Sequence, residues 1–195
     1  MARSSREQTA RTLATIKSRA REALGDGAYA TLSLDAVAAA AGVTRGAVYH
    51  HFGSKEGLFR VLLEEEMRRV ARAIDEATGA GELNEQVRRG CAAFLRATQD
   101  PVTRRIVLVD GPAVIGWREW RELDARVVRR SLDEGLAELA RAGALRGDWP
   151  AASVMLSGAL NEAAMWLADD PEARIDDAVA LVDAWVAALT PGPGG

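Results

Sequence analysis

SLDAVAAAAGVTRGAVYHHFGSK, residues 33–55, holds two short helical patterns with a glycine between them. Ser33 is suited to cap the first helix, because its hydroxyl can accept from an otherwise unpaired N–H in the first turn. Leu34, Val37, Ala38 and Ala41 follow at helical spacing and form one apolar stripe. Gly42 stands where a left-handed turn would close the helix. Val43 is apolar and is expected to fill the gap between the two helices. Thr44 then caps a second helix, predicted over 45–51, and Gly53-Ser54 breaks the chain after it. Two short helices joined in this way form a helix-turn-helix, whose second helix enters the major groove of DNA. The base-reading positions then lie early in that helix, at Thr44, Arg45, Gly46 and Ala47. Arg45 suits a bidentate contact to guanine and Ala47 the methyl of thymine. Gly46 has no side chain and lets the helix come close. The N–H groups at the helix starts behind Ser33 and Thr44 are suited to phosphate. His50 is expected to reach a phosphate or a base. His50-His51 is not a metal pair, because neighbouring helical positions point about 100° apart and no further ligand follows at suitable spacing.

With Val37-Ala38, Ala41-Gly42-Val43, Gly46, Tyr49, Phe52, Lys55 and Leu58 in these places, the stretch resembles the TetR family of bacterial transcriptional regulators. The resemblance covers about the N-terminal quarter of the chain. It implies that Tyr49 and Lys55 contact phosphate and that Phe52 packs inside. It also implies a helical body around a pocket for a small effector. One departure precedes the motif. The family ends its first helix on a Leu-Phe pair and follows it with a glycine before an aromatic residue. Here Ala23-Leu24 is followed by Gly27-Ala28-Tyr29, so the glycine comes one place early.

The charge distribution agrees with a DNA-binding head. Residues 1–55 carry eight basic and four acidic side chains, a local charge of +4. The whole chain of 195 residues is −3, which leaves −7 for residues 56–195. A basic head on an acidic body fits a DNA reader with a separate regulatory part. Chance alone produces such splits often enough that charge supports this reading without carrying it. Arginine outnumbers lysine 23 to 2 and alanine is abundant, both of which a GC-rich genome accounts for. Residues 1–6 form a polar arm with Arg3 and Arg6, read either as a frayed end or as a contact to the DNA backbone. The single cysteine, Cys91, excludes an internal disulfide and a multi-cysteine metal site. The N-terminus lacks the apolar run of a signal peptide and no stretch approaches a membrane span, so the expected compartment is the cytoplasm. No cofactor and no membrane partner are expected.

Outward from the motif, the periodicity predicts helices over about 7–24, 54–78, 82–99, 118–141, 150–168 and from 170 to 189. Leu13, Ile16, Ala20 and Leu24 mark the inner face of the first. Leu63, Met67, Val70, Ile74 and Ala77 mark that of the long helix after the motif. Its Glu64–Arg68, Glu65–Arg69 and Arg72–Glu76 spacings suit surface ion pairs. Val87, Cys91, Phe94 and Thr98 share a stripe, so Cys91 reads as a small core residue, a redox thiol being the alternative. Residues 106–117, IVLVDGPAVIGW, look locally like a hairpin, since Asp-Gly between β-branched residues favours one. The helical surroundings overrule that, and Pro112 suits the first turn of a helix. The segment also resembles the DGP-containing linker between body helices of TetR-like regulators.

The expected fold is all-α. Residues 1–54 form a three-helix head with the helix-turn-helix, and the long helix joins it to a helical effector-binding and dimerisation domain, 55–190. A disordered tail, 191–195, ends the chain. Phe94, Asp110, Trp117, Trp120, Met155 and Asn161 are candidate pocket residues, with plain core packing as the alternative for each. Asn161 stands out as a polar residue on an apolar helix that needs a partner. The helices near 150–168 and 170–189 carry apolar residues on two faces, one for the core and one for a second copy. Leu160, Ala164, Leu167, Val179, Val182 and Val186 are assigned to that dimer interface. The expected function is a homodimeric, ligand-responsive repressor that binds a pseudo-palindromic double-stranded DNA operator. Its expected effector is a small apolar molecule. Two alternatives stand: an effector-independent or architectural DNA binder, and an all-helical enzyme, for which no nucleophile–base pair, metal set or phosphate loop is found.

Overall fold

The computed structural model describes residues 2–190, with side chains from residue 7 onward, and among these the chain is helical with no strand. The expected tail, 191–195, and the side chains of Arg3 and Arg6 lie outside the described residues. Helix α1 runs Ala2–Asp26 and begins earlier than its apolar stripe predicts. A 3-10 turn, Tyr29–Thr31, leads to α2 (Leu34–Ala40) and α3 (Arg45–Phe52). Next come α4 (Lys55–Thr78) and α5 (Leu83–Ala97). The remaining helices are α6 (Pro101–Arg104), a π-helical segment (Arg105–Asp110), α7 (Gly111–Ile115), α8 (Trp117–Val127), α9 (Arg130–Arg141), α10 (Trp149–Asp169) and α11 (Ile175–Leu189).

Local chemistry sets most of the starts. Ser33, Thr44, Ser54, Asp100 and Asp148 each accept from a backbone N–H three residues on, as capping requires. Gly42 has φ +67°, a left-handed turn that only glycine adopts cheaply. In the head, Ile16, Ala20 and Leu24 of α1 pack with Val37, Ala38 and Val48 into one core with Leu58 and Phe59 of α4. In the body, α4 and α11 lie against α5, and α9 and α10 pack with it as well. Cys91 is buried in α5, and desolvation pushes its thiol up to about 12, so it is a core residue and not a reactive one.

Residues 106–117 form no hairpin. The π segment and α7 cover residues 106–115, Trp117 begins α8, and the DGP triplet has three separate jobs. Asp110 is buried and accepts from the Tyr29 N–H at 3.0 Å. Gly111 leaves room for the Trp120 indole, which lies 3.0 Å from where a Cβ would be. Pro112 sits in the first turn of α7.

Several expectations need correction. The helix predicted over 118–141 is two, divided at Val128-Arg129, where the Asp124 carbonyl accepts from both backbone N–H groups. The last helix starts at Ile175, not at Asp170, whose carboxylate instead accepts from the Glu172 N–H. Ala77 is exposed. Glu64–Arg68 forms as predicted, but Glu65 turns to Lys17 of α1, and Arg69 pairs with Glu66. The residues assigned to the dimer interface face inward within one chain. Leu160, Ala164, Val182 and Val186 are 0–5% exposed within one chain, so they belong to its own core. Leu167 and Val179 are half-buried and packed against that core. The outward apolar residues are Val154, Met155 and Trp166 on α10, and Leu181 and Trp185 on α11.

Candidate nucleic-acid interface and body cavity

The second helix of the motif is presented to solvent. Of α3, only Val48 is fully buried, which pins it to the head core and leaves its first turn free. Arg45, Gly46 and Tyr49 are exposed and Ala47 is half-buried. Arg45 donates to Asp35 at 3.0 Å and to the Tyr49 hydroxyl at 3.2 Å, and lies 5.1 Å from the Tyr49 ring centroid. Its guanidinium is held firmly charged, first by the Tyr49 hydrogen bond and then by Asp35. Both charged partners are more than half exposed, so the pair is weak and exchangeable. Around Gly46 a Cβ would meet only the Thr44 hydroxyl, at 3.8 Å. The fold therefore does not require glycine there. His50 is exposed and lies edge-on to His51, with ring centroids 5.2 Å apart.

Lys55 is more occupied than the resemblance implies. Its ammonium donates to the Ala30 carbonyl at 3.0 Å and sits 4.5 Å over the Tyr29 ring. Tyr29 in turn meets Phe59 edge-on at 5.0 Å. The early glycine is absorbed here. Ala28 is extended and the 3-10 turn delivers Tyr29 to Phe59, Lys55 and Asp110 together.

A polar cluster ties the head to the body. Arg21 of α1 donates to Glu66 of α4 at 2.7 Å and to Asp100 at 2.5 Å. Thr103 Oγ1 lies 2.8 Å from Glu66 and 2.7 Å from Asp100. Burial pushes the Asp100 carboxyl up, but the Thr103 hydrogen bonds and Arg21 outweigh it and hold it below the usual range. Sequence reasoning missed this cluster. The readable signal was Glu66 itself, a carboxylate at i+4 spacing between the apolar Leu62 and Val70.

The body holds a cavity of about 300 Å³ between α4, α5, α8, α9 and α10. Ile74, Thr78, Val87, Gly90, Cys91, Phe94, Val128, Leu132 and Leu160 line much of it. Of the six candidate pocket residues, Phe94 and Asn161 reach it. Met155 is 74% exposed and Trp117 is also on the surface, stacked on Trp120 at 5.2 Å. Trp120 is core, its indole N–H donating to the Val107 carbonyl at 2.7 Å. Asp110 lies near the head turn instead, beside Tyr29. Trp117, Trp120 and Met155 thus fall outside the cavity, and Asp110 lines a separate pocket with Ala28, Tyr29 and Glu56; residue type marks a pocket and a core alike, and only the packing separates them. The cavity also contains Asp124, which sequence reasoning did not select. Desolvation pushes its carboxyl up to about 6; Arg121 and Arg129 pull it down, and Asp133 pushes it up. Its signal was a carboxylate one helical turn from Trp120 and Val128 on the inner face of α8. Among the described residues, no group of three or more His, Cys, Asp or Glu could hold a metal ion, and no helix is long and apolar enough to cross a membrane.

An exposed, capped second helix of a helix-turn-helix, joined by a long helix to a helical body, defines a DNA-binding transcriptional regulator. Residues 16–62 match the bacterial regulatory proteins of the tetR family, and residues 84–189 match the tetracyclin repressor-like C-terminal domain. The chain belongs to the TetR family. A TetR-family transcriptional regulator from Pectobacterium atrosepticum superposes with a TM-score of 0.77 at 31% identity, over 96% of this chain and 98% of that one. FadR from Bacillus subtilis, solved in complex with stearoyl-CoA, shares the fold with a TM-score of 0.74 at 20% identity, over 92% and 98% of the two chains. The HTH-type transcriptional repressor AcnR of Corynebacterium jeikeium is 29% identical over 107 residues, 55% of this chain and 54% of that protein. The match thus spans about half the length of that curated relative.

Proposed function

We propose that the chain is a homodimeric repressor in the cytoplasm, released from a pseudo-palindromic operator by a small molecule held in the body cavity. Its working parts are a head, 1–54, and a body, 55–190. The observation that carries DNA reading is the open space at Gly46. A helix that has no internal need for glycine, but carries one beside Arg45 on its exposed first turn, is shaped for the close approach of another surface. Arg45 and Ala47 flank it as base readers. Tyr49, His50 and Lys55, with the helix starts behind Ser33 and Thr44, anchor phosphates. The AcnR relative from Corynebacterium jeikeium supports the repressor reading. The test is selection of bound sites from genomic fragments, followed by affinity measurements on the best site. Gly46→Leu is expected to leave the melting temperature nearly unchanged and to lower affinity at least tenfold. Arg45→Ala is expected to change the selected sequence, whereas Tyr49→Ala weakens all sites alike. Wild-type affinity in Gly46→Leu would count against the close approach.

Effector response follows from α4. This one helix starts at the head with Lys55 and reaches the cavity with Ile74, Asp75 and Thr78. At ~1.5 Å per residue it spans about 36 Å. An occupant that displaces its far end also moves the head, provided that it prefers the non-binding arrangement. The FadR structure with stearoyl-CoA supports reading such a body as a ligand-binding domain.

The dimer face in this reading is the outward side of α10 and α11. Leu181 is 51% and Trp185 42% exposed, and neither belongs to the chain's buried core. Leu181→Glu with Trp185→Glu is therefore expected to keep the helical content but give a monomer mass in light scattering at micromolar protein. Operator binding should fall with it, because two heads must engage half-sites about 34–36 Å apart, or a multiple of that. A dimer mass in this variant would refute the assigned face.

A further inference from the structure

We propose that the cavity takes an amphiphile bearing a cationic nitrogen, with its charged head against Asp124 and its apolar part along Val87, Phe94 and Leu160. This rests on reading the cavity as the effector site and adds the class of ligand.

Asp124 is 2% exposed, and its Oδ2 has no hydrogen-bond partner among the described residues. A buried carboxylate oxygen without a partner is unfavourable, and native chains seldom keep one. The two guanidiniums close to it face elsewhere. Arg129 pairs with Asp133 at 3.3 Å, and Arg121 lies 5.6 Å over the Trp117 ring. The lining carries four carboxylates, those of Asp75, Asp124, Glu134 and Glu138, against the one guanidinium of Arg129. Asp75 and Glu134 are already engaged at the rim by Arg130. Glu138 is exposed to solvent, so Asp124 is left as the buried acceptor that a ligand can satisfy. An anionic head would meet repulsion here, and a neutral chain would leave the Asp124 oxygen buried and unpaired. An ammonium group supplies both the charge and the hydrogen-bond donor. Asn161, on the α10 side of the same cavity, offers a second polar contact. The volume is at the lower end for ligand pockets, ~300–1,000 Å³, so the occupant is a compact molecule.

The test is calorimetric titration of the full chain at neutral pH with octylammonium, octanol and octanoate. The amine is expected to bind at least about tenfold tighter than the alcohol or the carboxylate. Asp124→Asn should remove that preference and leave the affinity for octanol unchanged. Should Asp124→Asn melt well below the wild type, Asp124→Leu serves instead and is expected to favour octanol over the amine. Equal wild-type affinity for amine and alcohol, or a preference that survives in the variants, would overturn the role of Asp124 while leaving the cavity a ligand site. Binding of none of the three would remove the cavity reading together with the proposal.

Discussion

Arg21→Met is expected to lower the unfolding free energy by about 2–3 kcal/mol, because it strands Glu66. Glu66 is 2% exposed and relies on Arg21 at 2.7 Å, on Thr103 at 2.8 Å and on a looser contact to Arg69 at 3.3 Å. Removing one partner of a buried pair costs about 3–5 kcal/mol. The lower figure allows for the partial exposure of Arg21 and the remaining Arg69 contact. Replacing both partners should cost less than replacing one, so Arg21→Met with Glu66→Leu is expected to recover much of the loss. Denaturant titration of the three variants reads this. Equal destabilisation by the single and double replacements would show that Arg21 contributes only its packing. The pH dependence has a definite sign. The Asp100 carboxyl is held below its ordinary value, so its share of the stability is fully present above the usual range, ~3.9, and is lost as pH falls through the depressed value. The deficit of Arg21→Met should accordingly shrink in strong acid.

Gly57→Ala should be comparably severe, with the damage confined to the head. A Cβ at residue 57 would lie 2.0 Å from the Phe52 carbonyl oxygen and 3.2 Å from its carbon. Neither atom belongs to a flexible side chain, so the end of α3 must move away from the start of α4. Overpacking of this kind costs about 1–3 kcal/mol or more. The Gly57 N–H also serves the Ser54 cap at 2.9 Å, and that bond is lost with the shift. Hydrogen exchange should show faster opening of α2 and α3 while α5 and α9 stay protected. Uniform loss of protection would instead indicate that head and body unfold together, and wild-type exchange would show the crossing to be looser than described. Gly57 and Gly46 thus make opposite demands: at Gly57 the chain itself needs the space, and at Gly46 it does not.

Much of the head was legible in residues 33–55. Caps and glycine turns act over three or four residues, so Ser33, Thr44, Ser54 and Gly42 could be read one at a time. The body was legible as helices but not as surfaces. On α11 the stripes Ile175-Val179-Val182-Val186 and Ala178-Leu181-Trp185 are both apolar, and nothing local ranks them. The core received Val182, Val186 and Ala178, and left Leu181 and Trp185 outside. The break at Val128 carried no proline or glycine to announce it. The cavity was harder still, since a void arises from five helices that do not meet fully. Phe94 and Asn161 were found through type and position, but the tryptophans were misleading, because large aromatics fill cores as readily as they line pockets. Glu66 and Asp124 taught the more useful lesson. An acid on the apolar stripe of a helix must be satisfied by something, and one of these found Arg21.

The clamp at Lys55 has a consequence for chemistry applied from outside. The chain has two lysines, Lys17 and Lys55, and every other side-chain cation except the histidines is arginine. One amine is engaged with Glu65, and the other holds the Ala30 carbonyl and covers Tyr29. Among side chains, amine-directed labels and lysine-specific proteases therefore address these two junctions of the head and nothing beyond residue 55. Scission after Lys55 separates the chain at the first residue of α4, but the clamp must open before a protease can reach it. The rate of that cut measures how firmly the head is seated, with no probe introduced.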